Sequence, residues 1–222
     1  MEPGAVVSQW IPTYNRGVND TWSMIRTFVE VFPHALLFMN GDDGIIIGSN
    51  APLKMDPSIE LPDSVISDLK RSGSVYAAMG NFICSRDRLL EASRDYPLIT
   101  DDFPILEFTS PISHWEQDVS GPIEMRGRFL DMIDPIENIL TGNVDWERAR
   151  RFREGRILVN KAFLQEKIGF IGKAHSYFQR AYELNPEDER VVRLWFIFLR
   201  RNNRLGELPD ALKHMARPVR RK

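Results

Sequence analysis

Residues 35–48 read ALLFMNGDDGIIIG, and this stretch decides the fold of the chain. Two short apolar runs, 35–39 and 44–48, flank Asn40-Gly41-Asp42-Asp43, whose composition is typical of a tight turn. Apolar runs of this length joined by such a turn indicate β-strands that fold back on each other. We therefore expect an antiparallel β-hairpin here.

The residues before the hairpin predict a strand and a helix. Residues 5–11, AVVSQWI, are apolar and β-branched, as in a buried strand of a parallel sheet. A helix is expected over 20–32, capped by Asn19 or Asp20 and ended by Pro33. Its apolar residues recur at three- and four-residue spacing: Trp22, Ile25, Phe28, Val29 and Phe32. Strand, helix and hairpin together are typical of the closing part of a doubly wound α/β sheet with an antiparallel edge.

The parts that would bind a nucleotide cofactor in such a sheet do not occur in this sequence. No G-x-G-x-x-G motif is present, although open α/β sheets that bind dinucleotides carry one after an early strand. A sheet of three strands would also leave unpaired edges. We therefore expect a missing N-terminal half, or a partner, to complete the sheet.

Composition excludes several classes of protein. The chain has 29 Lys+Arg against 31 Asp+Glu, and its net charge of -2 predicts no attraction to nucleic acid. Cys84 is the single cysteine, so no internal disulfide can form, and no Cys/His spacing predicts a metal site. No apolar run approaches the ~20 residues of a membrane span. These observations favour a protein of a reducing, cytoplasmic environment with no membrane segment in this chain.

Three motifs together carry a resemblance to a known family. They read PGAVVSQW at 3–10, FVEVFP at 28–33 and TDDFPILEF at 100–108. In this order they resemble the C-terminal half of the spermidine synthase-like domain, and most of all the bacterial proteins in which that domain follows a membrane transporter-like segment. The resemblance covers roughly the first half of the chain.

The resemblance implies a polyamine aminopropyltransferase with a Rossmann-type, methyltransferase-like fold. Its co-substrate would be decarboxylated S-adenosylmethionine, from which an amine takes the aminopropyl group. The family's glycine-rich loop, ribose-binding acid and catalytic aspartate all lie upstream of the matched portion. The resemblance therefore implies that this chain alone binds no cofactor, has no identifiable catalytic residue and is inactive, and that it is the soluble part of a membrane-associated fusion.

Few substrate-binding residues can be assigned. The resemblance assigns Gln9, at the end of the first strand, to substrate binding. Trp10 and Tyr14 follow Gln9 in the same loop. They would either line a pocket for the amine or pack under the next helix. Asp101 and Asp102 offer paired carboxylates for a cation or for acid/base chemistry. The alternative, which we favour, is that they form a turn fixed by Pro104 that leads into a docked extended strand.

The second half of the chain is predicted to be helical. Small and aromatic residues occupy positions of a 34-residue tetratricopeptide repeat: Ala162, Gly169, Ala174, Phe178, Ala181 and Pro186. A third helix with Trp195 and Phe198 would end at Asn202-Asn203. Because a single repeat cannot bury its own apolar face, it must dock on the α/β part or bind a peptide or protein partner.

An arginine run begins the helical region, at Arg148, Arg150, Arg151, Arg153 and Arg156. It would either recruit an acidic partner or form a solvated helix face balanced by Glu147 and Glu154, and we favour the second.

We therefore divide the chain into four parts. Residues 1–110 form the C-terminal part of a spermidine synthase-like α/β domain, 111–143 a linker with helices, 144–216 the tetratricopeptide-like region and 217–222 a basic tail. Two functions stay open: the distal part of an aminopropyltransferase without its cofactor-binding half, or a non-catalytic protein-interaction module that uses the helices.

Overall fold

A four-stranded sheet lies at the centre of the α/β part. The computed structural model describes residues 2, 4–14, 16–59, 62–65, 75–109, 120–210 and 212. Its strands are β1 (Val6–Pro12), β2 (His34–Asn40), β3 (Asp43–Ser49) and β4 (Phe82–Ser85), in the order β1-β3-β2-β4. Every neighbouring pair is antiparallel. The chain is thus a mixed α/β protein, a sheet with helices.

The predicted hairpin is confirmed. Leu37 pairs with Ile46 and Met39 with Gly44, so β2 and β3 are joined through Gly41 and Asp42. Gly41 adopts a φ of 72°, which a residue with a Cβ rarely takes, and the turn therefore favours glycine at this position.

The first strand was predicted to be a buried strand of a parallel sheet, and the structure shows a different arrangement. β1 runs in the same direction as β2 but is bonded to β3, which is antiparallel to both. It is an edge strand of the described sheet, with Val6 57% and Trp10 55% exposed. Apolar, β-branched composition alone does not distinguish an edge from a centre, and the prediction was wrong for this reason.

The fourth strand escaped the sequence analysis. β4 pairs with β2 and covers its outer edge, with an irregularity between Leu37 and Phe38. Its four residues run directly into the next helix, so they contain too little alternation to show a strand period.

The first helix, α1, spans Val18–Val31. The predicted cap was wrong, because Gly17 occupies the N-cap position and both Asn19 and Asp20 lie inside the first turn. Asp20 is buried and accepts a 2.6 Å hydrogen bond from the Thr109 hydroxyl. That contact joins the start of α1 to the short helix at 105–109, where an extended strand was expected.

Six further helices are used below, and their bounds are α2 Val75–Met79, α3 Arg86–Ser93, α4 Ser120–Asp131, α5 Trp146–Lys167, α6 Ile171–Leu184 and α7 Glu189–Arg201. Single 3₁₀ turns occur at Ile136–Asn138 and Leu205–Glu207. The basic tail at 217–222 and residues 111–119 of the predicted linker lie outside the described residues.

Two apolar clusters cover the two faces of the sheet. On the α1 face, Trp22, Ile25 and Phe28 pack with Leu37 and the α4 residue Phe129. On the opposite face, strand residues and residues of α2, the 3₁₀ turn and α5 form the second cluster: Leu36, Phe38, Met79, Phe82, Ile136, Ile139, Leu140 and Ala149. Helix α5 thus joins the sheet to the helical region.

The helical region has the close packing that its small residues predict. Ala162, Ala174, Phe178 and Ala181 are fully buried in one cluster, where α5 and α6 pack closely together. Gly169 turns the chain between these helices with a φ of 88°. Pro186 follows the end of α6, and the third predicted helix is α7, which ends at Arg201 as Asn202 and Asn203 predict.

Candidate functional site

A cavity of about 390 Å³ lies on the sheet face opposite α1. Side chains of β2 and β3 form part of its lining, and α2 and the segment after β3 add mostly apolar groups. Its apolar residues are Phe38, Ile45, Ile47, Met55, Val75, Ala77, Ala78 and Met79. The polar residues at the cavity are Asn40, Asn81, Arg156 and Arg190. A concave apolar site with few polar groups is the usual form of a small-molecule site.

The predicted residue Trp10 lies on the sheet face that carries this cavity, and Tyr14 packs against it; neither residue lines the cavity itself. Trp10 is the direct cross-strand partner of Ile45, which lines the cavity, so the two side chains share one face of the sheet. The indole Nε1 of Trp10 donates a 2.8 Å hydrogen bond to Oδ1 of Asp43. Tyr14 packs edge-on against Trp10 with the ring centroids 6.2 Å apart. Trp10 and Tyr14 therefore form a half-exposed aromatic pair next to the hairpin turn.

Gln9 lies on the other face of β1. It pairs with Ile46, and Ile46 belongs to the cluster under α1. Since side chains alternate along a strand, Gln9 and Trp10 point to opposite faces of the sheet. The structure therefore separates two residues that the sequence analysis placed in one pocket.

Asp101 and Asp102 stand in an exposed turn. The amide of Phe103 donates to both the carbonyl and the hydroxyl oxygen of Thr100, at 3.0 and 3.1 Å, and closes this turn. The amide of Ile99 donates to the Thr27 hydroxyl, which docks the segment against α1. The two carboxylates thus occupy a turn, as the favoured interpretation has it, beside a different element from Trp10.

Arg156, which lines the cavity, belongs to a buried ion pair with Asp188. Nη2 of Arg156 lies 2.8 Å from Oδ1 of Asp188, and its Nε lies 2.8 Å from Oδ2. Asp188 is also the N-cap of α7 and accepts hydrogen bonds from the Arg190 and Val191 amides. Burial raises the pKa of Asp188 and lowers that of Arg156, and their mutual attraction offsets part of both shifts. Arg156 is therefore already neutralised.

Arg190 differs from Arg156 because its guanidinium makes no hydrogen bond or ion pair within the described part of the chain. It lies in the first turn of α7, where the helix dipole disfavours a cation. Burial lowers its pKa, the neighbouring Arg193 lowers it further, and Asp188 and Asp43 act in the opposite direction. The cavity therefore has a cation that the described residues do not neutralise.

A buried acceptor adds to this imbalance. Oδ1 of Asn40, at the end of β2, is inaccessible to solvent and accepts no hydrogen bond from the described residues. Buried polar atoms normally have a partner, and this oxygen has none among the described residues.

A polar cluster around Arg126 holds the hairpin turn in place. Arg126 is 1% exposed and donates to Oδ1 of Asn160 at 2.8 Å, to the Gly41 carbonyl at 2.8 Å and to Oδ1 of Asp42 at 2.5 Å. Lys167 lies 3.2 Å from the same Asp42 oxygen. Burial alone would raise the pKa of Asp42, but Arg126 and Lys167 outweigh it and lower that pKa. The turn is thereby attached to α4 and α5.

Only part of the arginine run forms the solvated face that was favoured from the sequence, and in that part Arg151 pairs with Glu147. Arg153 and Arg156 are buried, and Arg153 donates to the carbonyls of Ile83 and Asp134. Arg150 does pair with Glu137 on the surface. Helix α5 is covered on one side by the sheet, which a charge count could not reveal. Asn40 was predicted only as a turn residue, and Arg190 was not predicted as a site residue; the one signal for Arg190 in the sequence is a positive charge in the first turn of a helix.

Comparison with protein-family models, with curated proteins and with solved structures finds no match to this chain. Among the described residues, no helix has the length and apolar composition needed to span a membrane.

Proposed function

We propose that this chain is the distal part of a spermidine synthase-like transferase, and that an upstream segment or a partner supplies the nucleoside-binding half. The observation that carries the proposal is the open edge of β1. Within the described residues β1 pairs on one side only, and Val6, Val7 and Trp10 are exposed on it. Proteins normally protect such an edge, so a further strand is expected there.

The strand directions support the same proposal. β1 and β2 run in the same direction with α1 between them, as in a βαβ unit, and β3 is inserted antiparallel. This is compatible with the Rossmann-type, methyltransferase-like sheet that the sequence motifs resemble. Ligands of open α/β sheets bind beyond the carboxyl ends of the parallel strands, and Trp10 and Tyr14 lie at that end of β1.

The proposed reaction is an aminopropyl transfer. An amine nitrogen attacks the propyl carbon of decarboxylated S-adenosylmethionine, a C–N bond forms, and the C–S bond breaks to release methylthioadenosine. The proton lost by the amine passes to a carboxylate base, which the missing half would provide. Asp101 and Asp102 would attract the polycationic amine from the surface, because both are exposed.

A second candidate is a non-catalytic interaction module built from tetratricopeptide-like helices. It is favoured by two exposed apolar residues in the loop between α5 and α6, Ile168 at 40% and Phe170 at 61% exposure. Because α5 already docks on the sheet, a peptide or protein partner would bind at this loop rather than along α5. Both candidates are proposed for the cytoplasm, alone or as part of a membrane-associated fusion.

The test uses the native polypeptide, isolated from source lysate and membranes with an antibody against α5–α7. Purified material is assayed for methylthioadenosine release from decarboxylated S-adenosylmethionine and putrescine. We expect a polypeptide or complex larger than 25.7 kDa that releases methylthioadenosine, and no release from the recombinant chain alone. A native complex that releases no methylthioadenosine would overturn the proposed transferase activity. Micromolar binding of methylthioadenosine by the chain alone would overturn the proposal that the nucleoside-binding half lies outside this chain.

The interaction module is tested on the same material. Phe170→Ser removes the exposed apolar group without touching a buried one, and Val31→Ser on α1 is a matched control with comparable exposure, 63%. Loss of a defined native partner from the Phe170 variant only would support the module, whereas equal retention by both variants would contradict it.

A further inference from the structure

We propose that the cavity opposite α1 binds a small apolar carboxylate, with its alkyl or aryl body against Ile45 and Ile47 and its carboxylate at Arg190. The aminopropyl transfer proposed above does not use this site. The cavity is formed within this chain, so the two proposals can fail independently.

The size and lining of the cavity suit such a ligand. Its volume of about 390 Å³ falls within the range of ~300–1,000 Å³ that small-molecule sites occupy. Phe38, Ile45 and Ile47 offer apolar side chains from one face of the sheet, and Val75 and Met79 offer them from α2. An alkyl chain or an aromatic ring would replace water on these surfaces, which favours binding.

The charge of the site selects an anion. Asp188 neutralises Arg156, whereas Arg190 has a like-charged neighbour, Arg193, and stands at the positive end of a helix. A carboxylate at Arg190 would relieve both unfavourable interactions and would accept two parallel hydrogen bonds from the guanidinium. Arg190 and Arg193 disfavour an ammonium group, against the opposite effect of Asp43 and Asp188 on Arg190, so a polyamine should bind this cavity more weakly than a carboxylate.

The experiment is isothermal titration calorimetry of the full chain with three probes of equal length: decanoate, decanol and decylamine. We expect micromolar binding of decanoate, and at least tenfold weaker binding of decanol and of decylamine. Equal affinities for decanoate and decanol would overturn the role of Arg190, and absence of decanoate binding would overturn the site.

Two variants locate the ligand. Arg190→Gln should weaken decanoate binding at least tenfold and leave decanol unchanged. Arg193→Gln is the matched control, because Arg193 lies one turn further along α7 and, unlike Arg190, does not line this cavity; it should alter decanoate affinity less than twofold. Equal losses of decanoate affinity in the two variants would show that binding depends on the overall positive charge rather than on Arg190, and would contradict the proposal.

A steric variant provides an independent check. Ala78 lines the cavity yet is exposed, so Ala78→Phe adds bulk there without disturbing a buried position. We expect it to weaken decanoate and decanol alike, with an unchanged melting temperature. Unchanged binding by this folded variant would place decanoate elsewhere and overturn the proposal.

Discussion

The two faces of the sheet are closed to different degrees. On the α1 face, the helix that follows β1 directly covers the strands, and Trp22, Ile25 and Leu37 are completely buried. On the other face, the covering groups come from distant segments, α2 and α5, and they leave a cavity beside Ile45 and an exposed Trp10. On the α1 face the helix adjacent in sequence supplies most of the cover and the distant helix α4 completes it, whereas the other face is covered by distant segments and retains a cavity.

The largest effect should come from truncating one residue on each face of the same hairpin. Leu37→Ala should lower the free energy of unfolding by about 2–5 kcal/mol, because Leu37 is fully buried. Ile45→Ala should cost less, about 1.5 kcal/mol, because Ile45 is already 36% exposed. Urea unfolding of both variants measures the difference, and equal losses would contradict the contrast between the faces.

The next effect concerns the attachment of the hairpin turn. Arg126→Met should cost about 3 kcal/mol, because it breaks a buried network and leaves Asp42 with Lys167 alone. Arg150→Met is the control; its surface pair with Glu137 should contribute below about 1 kcal/mol. If urea unfolding gives both variants the same loss, Arg126 does not hold the turn.

The helical region should show a pH dependence through His175. Its Nδ1 lies 3.1 Å from Oε2 of Glu207, but packing against Trp195 and Phe198 desolvates the ring, and Arg204 already engages Glu207 in a two-bond fork. Burial therefore lowers the pKa of His175 below its ordinary value of 6.5 despite the carboxylate.

The sign follows from proton binding. Below pH 6.5 the unfolded chain binds a proton at His175 that the folded state binds less readily, so stability falls as the pH decreases through this value. The melting temperature should drop between pH 7.5 and pH 5.5, and His175→Gln should reduce that drop. If the melting temperature of the variant drops as much as that of the parent, the pH dependence comes from groups other than His175.

The smallest effect on stability is expected at the open edge. Val6→Lys should change the free energy of unfolding by less than about 0.5 kcal/mol, because Val6 is exposed, and yet hinder strand addition to β1. Light scattering should show weaker concentration-dependent association than for the parent and for Val31→Lys on α1. Identical association of all three proteins would argue against β1 as a pairing edge.

The sequence predicted the elements that depend on local patterns. The hairpin follows from Asn40-Gly41-Asp42-Asp43, and the helix after β1 from its apolar spacing. The candidate site depends instead on contacts between distant residues. Nothing in the sequence distinguishes Arg156 from Arg190 in their pairing. In the described chain the buried Asp188 forms an ion pair with Arg156, and Arg190 has no such pair. The edge position of β1 was missed for the same reason.

The contact between Arg126 and Asp42 spans 84 residues of sequence. During synthesis on the ribosome, the hairpin emerges long before Arg126, which holds its turn in place. The α1 face of the sheet also lacks Met125 and Phe129 until α4 has been made. The α/β part therefore completes its fold late, and a nascent chain stalled before α4 should be degraded by proteases that the finished protein resists.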